Sequence, residues 1–422
     1  MKRPFLAAIV ATTTVTSALF GGAAAPAALA QDLPFTIPQL RDPATGWFSG
    51  QVPTHIDGAP VPVPFSPDYL VGYISDRSAY EHGIYAEVNR LFPELRDKRP
   101  DVMDSNRAQV VAINNAAASD PARIRSAQID ASASSEELLF ALSEGLGEQF
   151  GTYFRTALTE GRLPKTQFLL GNGYLARTGG LASSTFVEKE IFNYPRPHMA
   201  MPDKIKRYNP PGKELYLTSK SFPSGHTNQA TLMTSLLAYM VPEVAPQLHY
   251  RGALAGNSRV VLGVHYPLDV IGGRMSGQAA AADRLNDPKM RDALNQAAAE
   301  LRAEIEWRAG KPIKDLVASD KPFVPTATAV SQATAWNNYE FAPIYHRDAP
   351  MIVPQAAPTL IAGSFPELNH HQRAQIIAQT ASAAGNPLDW QGPGGSWQRV
   401  NLAAASAAKI RVAEDGNVTV VK

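Results

Sequence analysis

Pro223-Ser224-Gly225-His226, running on into Thr227-Asn228-Gln229-Ala230-Thr231-Leu232-Met233-Thr234-Ser235-Leu236-Leu237, is the stretch on which the fold turns. Ala230, Leu232, Met233, Leu236 and Leu237 recur at helical intervals, so a helix is predicted from about Ser224 to Met240 with Pro223 at its threshold. Ser224 and Gly225 then fall in the first turn, where backbone amides have no intrahelical acceptor and an anion is welcome. Glycine lets such an anion approach the backbone closely.

Two further clusters combine the same ingredients: cations, histidines, and residues that pin the backbone. Downstream lie Ser258-Arg259, five residues, His265, three residues and Asp269, with Pro267 suited to the first position of a helix running to about Leu285. His265 therefore sits just before that helix and Asp269 in its first turn, a spacing that lets the carboxylate hold one imidazole nitrogen and leave the other as base or nucleophile. Upstream lie Lys189, six residues, and Arg196-Pro197. Lys189, Arg196 and Arg259 are three cations, and guanidinium geometry matches phosphate oxygens. Three cations, two free amides, an oriented histidine and a second histidine describe a phosphoryl-transfer site that needs no metal.

In this order and spacing the clusters resemble the three-part signature of the type 2 phosphatidic acid phosphatase superfamily, which includes secreted bacterial class A acid phosphatases and vanadium-dependent haloperoxidases. The similarity covers roughly Ser135 to Gly310. The resemblance implies an all-α fold, a bundle of about four core helices with the site at one end. It implies that His265 attacks phosphorus and is transiently phosphorylated, and that His226 protonates the leaving oxygen and then deprotonates water. Asp269 would orient His265. Lys189, Arg196, Arg259 and the amides of Ser224 and Gly225 would hold the equatorial oxygens, while Ser258 bonds locally. A small phosphorylated substrate is implied, with no cofactor and no metal. Under the alternative of a haloperoxidase, the same pocket would hold vanadate on His265. Those enzymes usually carry a duplicated bundle, and only one is visible here. An envelope lipid or sugar phosphate remains a further alternative substrate.

Composition agrees with a globular enzyme. Of 422 residues 45% are hydrophobic and 18% charged, enough to close a large core. A formal charge of +1 offers no footprint for nucleic acid or an anionic membrane. Zero cysteines exclude disulfides, thiolate metal sites and cysteine nucleophiles. No feature specifies an oligomeric state.

The chain divides into four parts. Residues 1–30 read as a secretory signal peptide: Lys2 and Arg3, an uncharged stretch from Pro4 to Phe20, and Ala28-Leu29-Ala30 before Gln31. A secreted or cell-envelope location follows, with retention of the leader as an anchor as the alternative. No later run is long and apolar enough to span a bilayer. Residues 31–134 begin as an arm dense in proline, from Pro34 to Pro67, with helices from Tyr69 onward. Residues 135–310 form the bundle, where Leu139, Leu142, Leu146, Phe150, Phe154 and Leu158 mark one helical stripe that Gly161 can end, and Asp287 to Gly310 another helix.

Residues 311–422 form an irregular extension, linker-like from Lys311 to Ala335, with a helix from about His370 to Ala384, a loop at Gly392 to Gly395, and a strand at Val418 to Val421. Trp390, Trp397 and Leu402 are placed to pack that tail on the main domain. Gly171 to Tyr174 reads as a turn. His198 fits either the pocket or the surface. His370-His371 is no metal pair, because adjacent helical residues diverge.

Overall fold

A computed structural model of the chain describes residues 52–71, 87–132, 135–171, 178–179, 184–210 and 214–421. The leader and the first part of the proline-rich arm lie outside these residues, as does most of the turn expected after Gly171. The described chain is all-α apart from one two-stranded hairpin.

Four consecutive helices form its centre: α1 (Gly225–Met240), α2 (Ala245–Val261), α3 (Pro267–Asn286) and α4 (Pro288–Ala309). Their limits follow from local chemistry. Ser224 caps α1, its hydroxyl accepting from Thr227 N at 3.3 Å. Pro267 opens α3 and Pro288 opens α4, where a missing N–H costs nothing. Asp287 both ends α3 and caps α4 through Met290 N at 2.8 Å, and Gly310 stops α4 in the left-handed region at φ 63°. Helices α1 and α3 are buried on nearly every side, as suits central helices with small or apolar residues all round.

Glycine lets α3 lie against the first turns of α1. A Cβ on Gly273 would stand 2.4 Å from the Ser224 carbonyl oxygen, and one on Gly277 2.5 Å from that of Asn228. Both obstacles are backbone, which cannot rotate aside. Gly273→Ala is therefore expected to destabilise the fold by about 1–3 kcal/mol, the cost of overpacking a close-packed interior. It should also lower activity by moving the two site-bearing helix ends apart. Thermal melts and steady-state assays on the variant check this; an unchanged melting temperature would show that the approach is not tight.

The stripe from Leu139 to Leu158 is buried at every position, but it is not one helix. Helix Ser135–Leu142 passes through a tight turn at Ser143–Leu146 and restarts as Glu148–Thr159. Gly147, at φ 103°, makes the break, and Asp320 caps the second piece from afar, accepting from Gln149 N and Phe150 N at 2.9 Å each. Periodicity identified the buried face and missed the corner.

The linker expected at Lys311 to Ala335 is instead helical, at Ile313–Ser319 and Thr326–Asn338. Pro312 and Pro325 stand just before these helices and start them. Ala329, Ala333 and Asn337 turn inward onto α2. Helix His370–Gln379 appears as expected but ends five residues early. Strand β1 (Lys409–Val412) pairs antiparallel with β2 (Val418–Val421), Lys409 opposite Val421.

Trp397 and Leu402 are buried as expected. Arg274 of α3 donates to Gln398 O at 2.8 Å and Val400 O at 3.2 Å, so the C-terminal segment is tied to the helix that carries Asp269. One continuous apolar core joins residues from Phe65 to Val418. Among the described residues no helix is long and apolar enough to cross a membrane.

Candidate active site

Three chain segments deliver the site. Helix α2 ends at Val261, and Gly263, at φ 66°, reverses the chain so that Val264 N and His265 N both return to Arg259 O, at 3.2 and 3.3 Å. This reversal explains the five-residue gap between Arg259 and His265: the first faces the site from the last turn of α2, the second from the threshold of α3. Upstream, Lys189 lies in the last turn of helix Phe186–Phe192, which Asn193 ends in the left-handed region. The chain then runs extended to Arg196, next to the short helix Pro197–Ala200.

His265 and Asp269 meet as the spacing predicts, Nδ1 to Oδ2 at 3.1 Å, with His265 1% and Asp269 0% exposed. The other ring nitrogen, Nε2, lies 3.0 Å from Arg196 Nη1. A guanidinium only donates, so Nε2 must present its lone pair, and the ring proton belongs on Nδ1, donated to Asp269. Ser221 Oγ donates a short hydrogen bond to the same carboxylate oxygen, and Tyr266 N donates to it at 2.8 Å. The carboxylate is thus fixed from three directions, and it fixes the imidazole.

Burial, and then the cations Arg196, Lys189 and Arg259, hold the His265 pKa well below the usual histidine range. Both effects favour the neutral imidazole. Burial pushes Asp269 up against the opposing hydrogen bonds of Ser221 and Tyr266, and pushes Lys189 down with help from Arg196. Three cations share this buried site with the single carboxylate of Asp269, an excess of positive charge that suits an oxyanion.

The cations differ in readiness. Lys189 Nζ donates to Lys220 O at 2.8 Å and Ser221 O at 2.9 Å. Arg196 also donates to Ser219 O, Ser219 Oγ and Val264 O. Arg259 spends only Nη2, on Tyr216 Oη at 2.8 Å; its Nε and Nη1 are buried with no partner among the described residues. Two unpaired donors on a wholly buried guanidinium are costly, and their natural complement is a bidentate oxyanion.

Of the two amides expected to be free, Ser224 N is not: it donates to the Asp269 carbonyl oxygen at 2.9 Å and so stitches α1 to α3. Gly225 N keeps no acceptor among the described residues and is an amide donor at the tip of α1. His226, half-buried in the next position, faces Tyr216 Oη with Nε2 at 3.1 Å. Ser258 stands apart from the site, between Asp130 Oδ2 at 2.7 Å and Arg123 Nη1 at 3.0 Å. His198 is buried against the backbone of Gly263 and Tyr216, where burial and then Arg207 lower its pKa to about 4. It joins the His265 turn to the loop that precedes α1, and is no surface residue. His370 and His371 belong to no metal cluster among the described residues.

Sequence reasoning missed Ser221 and Tyr216. Ser221 lies two residues before Pro223 and had no spacing rule to mark it. Tyr216 had even less signal, since nothing in a sequence announces a tyrosine at φ 56°.

The all-α core thus sets a carboxylate-oriented histidine among buried cations. Residues 169–286, which hold every one of these groups, match the PAP2 superfamily. The chain is similar to the non-specific acid phosphatase of Salmonella typhi, 32% identical over 138 residues, covering 33% of this chain and 53% of that protein. It is similar to the non-specific acid phosphatase of Providencia stuartii at 27% over 153 residues, 36% of this chain and 60% of that one. The acid phosphatase of Zymomonas mobilis matches at 40% over 63 residues, 14% and 24% of the two chains. The chain spans about half the length of the curated relatives it matches.

Proposed function

We propose that the protein is an extracytoplasmic phosphomonoesterase that works without a metal through a phosphohistidine intermediate. One observation carries this reading: His265, its Nδ1 bonded to Asp269, presents an unprotonated Nε2 among Arg196, Arg259 and Lys189. The basic and apolar N-terminal pattern supports export, and the phosphatase relatives support the chemistry.

In the first step the Nε2 lone pair of His265 forms a bond to phosphorus as the bond to the leaving oxygen breaks. Arg196 Nη1, which holds Nε2 in the resting site, passes to an equatorial phosphoryl oxygen. Arg259 Nε and Nη1 and the Gly225 amide take up the others, and Lys189 adds charge. His226 protonates the leaving alkoxide. In the second step neutral His226 takes a proton from water, the hydroxide displaces His265 from phosphorus, and inorganic phosphate departs. Asp269 stabilises the charged imidazole throughout.

A chromogenic phosphate monoester tests this directly. Hydrolysis should survive exhaustive EDTA, because side chains supply the charge neutralisation that divalent ions provide in other phosphatases. Vanadate should inhibit competitively, its trigonal bipyramid matching the transition state. Loss of activity in EDTA with recovery on adding a divalent ion contradicts the mechanism; efficient bromide oxidation with vanadate and peroxide would instead reveal a haloperoxidase.

A further inference from the structure

Tyr216 stands where a substrate has to go. Its ring centroid is 4.3 Å from the Arg196 guanidinium carbon and 5.3 Å from that of Arg259, and its ring meets the His226 imidazole edge-on at 5.6 Å. Its hydroxyl takes a hydrogen bond from Arg259 Nη2 at 2.8 Å and lies 3.1 Å from His226 Nε2. A phosphoryl group in transit between His265 and a leaving oxygen must touch Arg196, Arg259 and His226. Ring and phosphoryl group share these three neighbours and compete for them.

We propose that Tyr216 is a displaceable plug of the anion site, a residue that sets substrate affinity by occupying the site until a phosphate monoester drives it out. The reading rests on the phosphatase assignment. Chemistry suits the plug: the π face of a tyrosine is attractive to guanidinium groups, and the phenol oxygen imitates a phosphate oxygen towards Arg259. The attraction is weaker than that of a dianion for the same cations, so substrate wins. The backbone suits it as well. At φ 56° Tyr216 is in the left-handed region, uncommon for a bulky side chain, which makes its closed position a held one. On one side the loop is clamped by Arg207, which donates to Leu215 O and Glu214 Oε2 at 3.1 Å each. On the other, Ser219 and Ser221 are bonded to Arg196 and Asp269. Between those clamps Leu217 is exposed and Tyr216 half-buried, at the edge of the site.

A plug lowers apparent affinity by the fraction of molecules that are open. Titration of inorganic phosphate into wild type, Tyr216→Phe and Tyr216→Ala by calorimetry, beside kcat and KM for a chromogenic phosphate, measures it. Phosphate should bind Tyr216→Ala about tenfold more tightly and Tyr216→Phe about threefold more tightly, with KM falling in parallel. Tyr216→Phe keeps the ring and loses only the hydroxyl, so it carries the test if the alanine variant does not fold. Phosphate affinity equal to or weaker than wild type in the folded variants overturns the plug, as does a hundredfold drop in kcat for Tyr216→Phe, which would make the hydroxyl part of the chemistry. Wild type and variants that all fail to bind phosphate overturn the phosphatase assignment itself.

Discussion

His265→Ala is expected to lower kcat by about 10⁴-fold or more while the protein stays folded, because loss of the attacking atom leaves only charge stabilisation and proximity. The side chain is buried and its Nε2 partner is Arg196, so the deletion opens a small polar gap without unpairing a carboxylate from the backbone: Asp269 keeps Ser221 and Tyr266 N. Circular dichroism and phosphate binding should therefore resemble wild type. The contrast with His226→Ala is diagnostic. That variant loses proton transfer, typically worth 10²–10⁴-fold, yet should still be phosphorylated by substrates whose leaving group needs no proton. Comparable residual activity in both variants on such a substrate would show that His265 is no nucleophile.

Asp269→Asn is expected to produce the second-largest loss, about 10²–10⁴-fold in kcat, through tautomer and charge together. An amide that turns its NH₂ toward Nδ1 would make that nitrogen an acceptor and put the proton on Nε2, where the lone pair is needed. The pH profile gives an independent reading. His265 is active when neutral, so activity is present above its pKa and lost as pH falls through it. Burial and three cations hold that pKa well below the ordinary value of about 6.5, which places the acid limb on the acidic side of ordinary histidine titration. His226 must be protonated for the first step, so activity falls on the alkaline side as it loses its proton, and the optimum is acidic to near neutral. Removing the Asp269 charge destabilises the imidazolium and can move the acid limb only to lower pH. A profile in Asp269→Asn that keeps its height, or whose acid limb moves upward, would show that Asp269 does not serve His265.

The site was legible in the sequence wherever a helix terminus enforced the geometry. Pro267, His265 and Asp269 could be placed because a helix start fixes which residues stand one turn apart, and Asp269 is found where that rule puts it. Arg259 and His265 were legible as a pair only through their spacing; the Gly263 reversal that joins them is a backbone event with no side-chain signature. Ser224 shows the opposite failure. A first-turn amide is free of its own helix, but the Asp269 carbonyl of a neighbouring helix claims it, and tertiary acceptors are invisible to local rules. Tyr216 and Ser221 were hidden for the same reason, since a loop residue acquires its role only from what it is folded against.

The fold divides the same way. Helices α1, α3 and α4 were marked by caps and periodicity, whereas the corner at Gly147 depends on Asp320, far along the chain. The helices at Ile313 and Thr326 were obscured by a composition of Ala, Thr, Ser and Pro that is equally at home in a linker, until packing on the bundle decides.

The most direct measurement of the central claim is the site of phosphorylation. His226→Ala should accumulate the intermediate, because the water that would discharge it lacks its base. That variant, mixed with ³²P-labelled substrate and quenched rapidly in alkali, should yield one labelled peptide with acid-labile phosphate on His265. Label on any other residue, or turnover with no labelled protein at any time, would contradict the account.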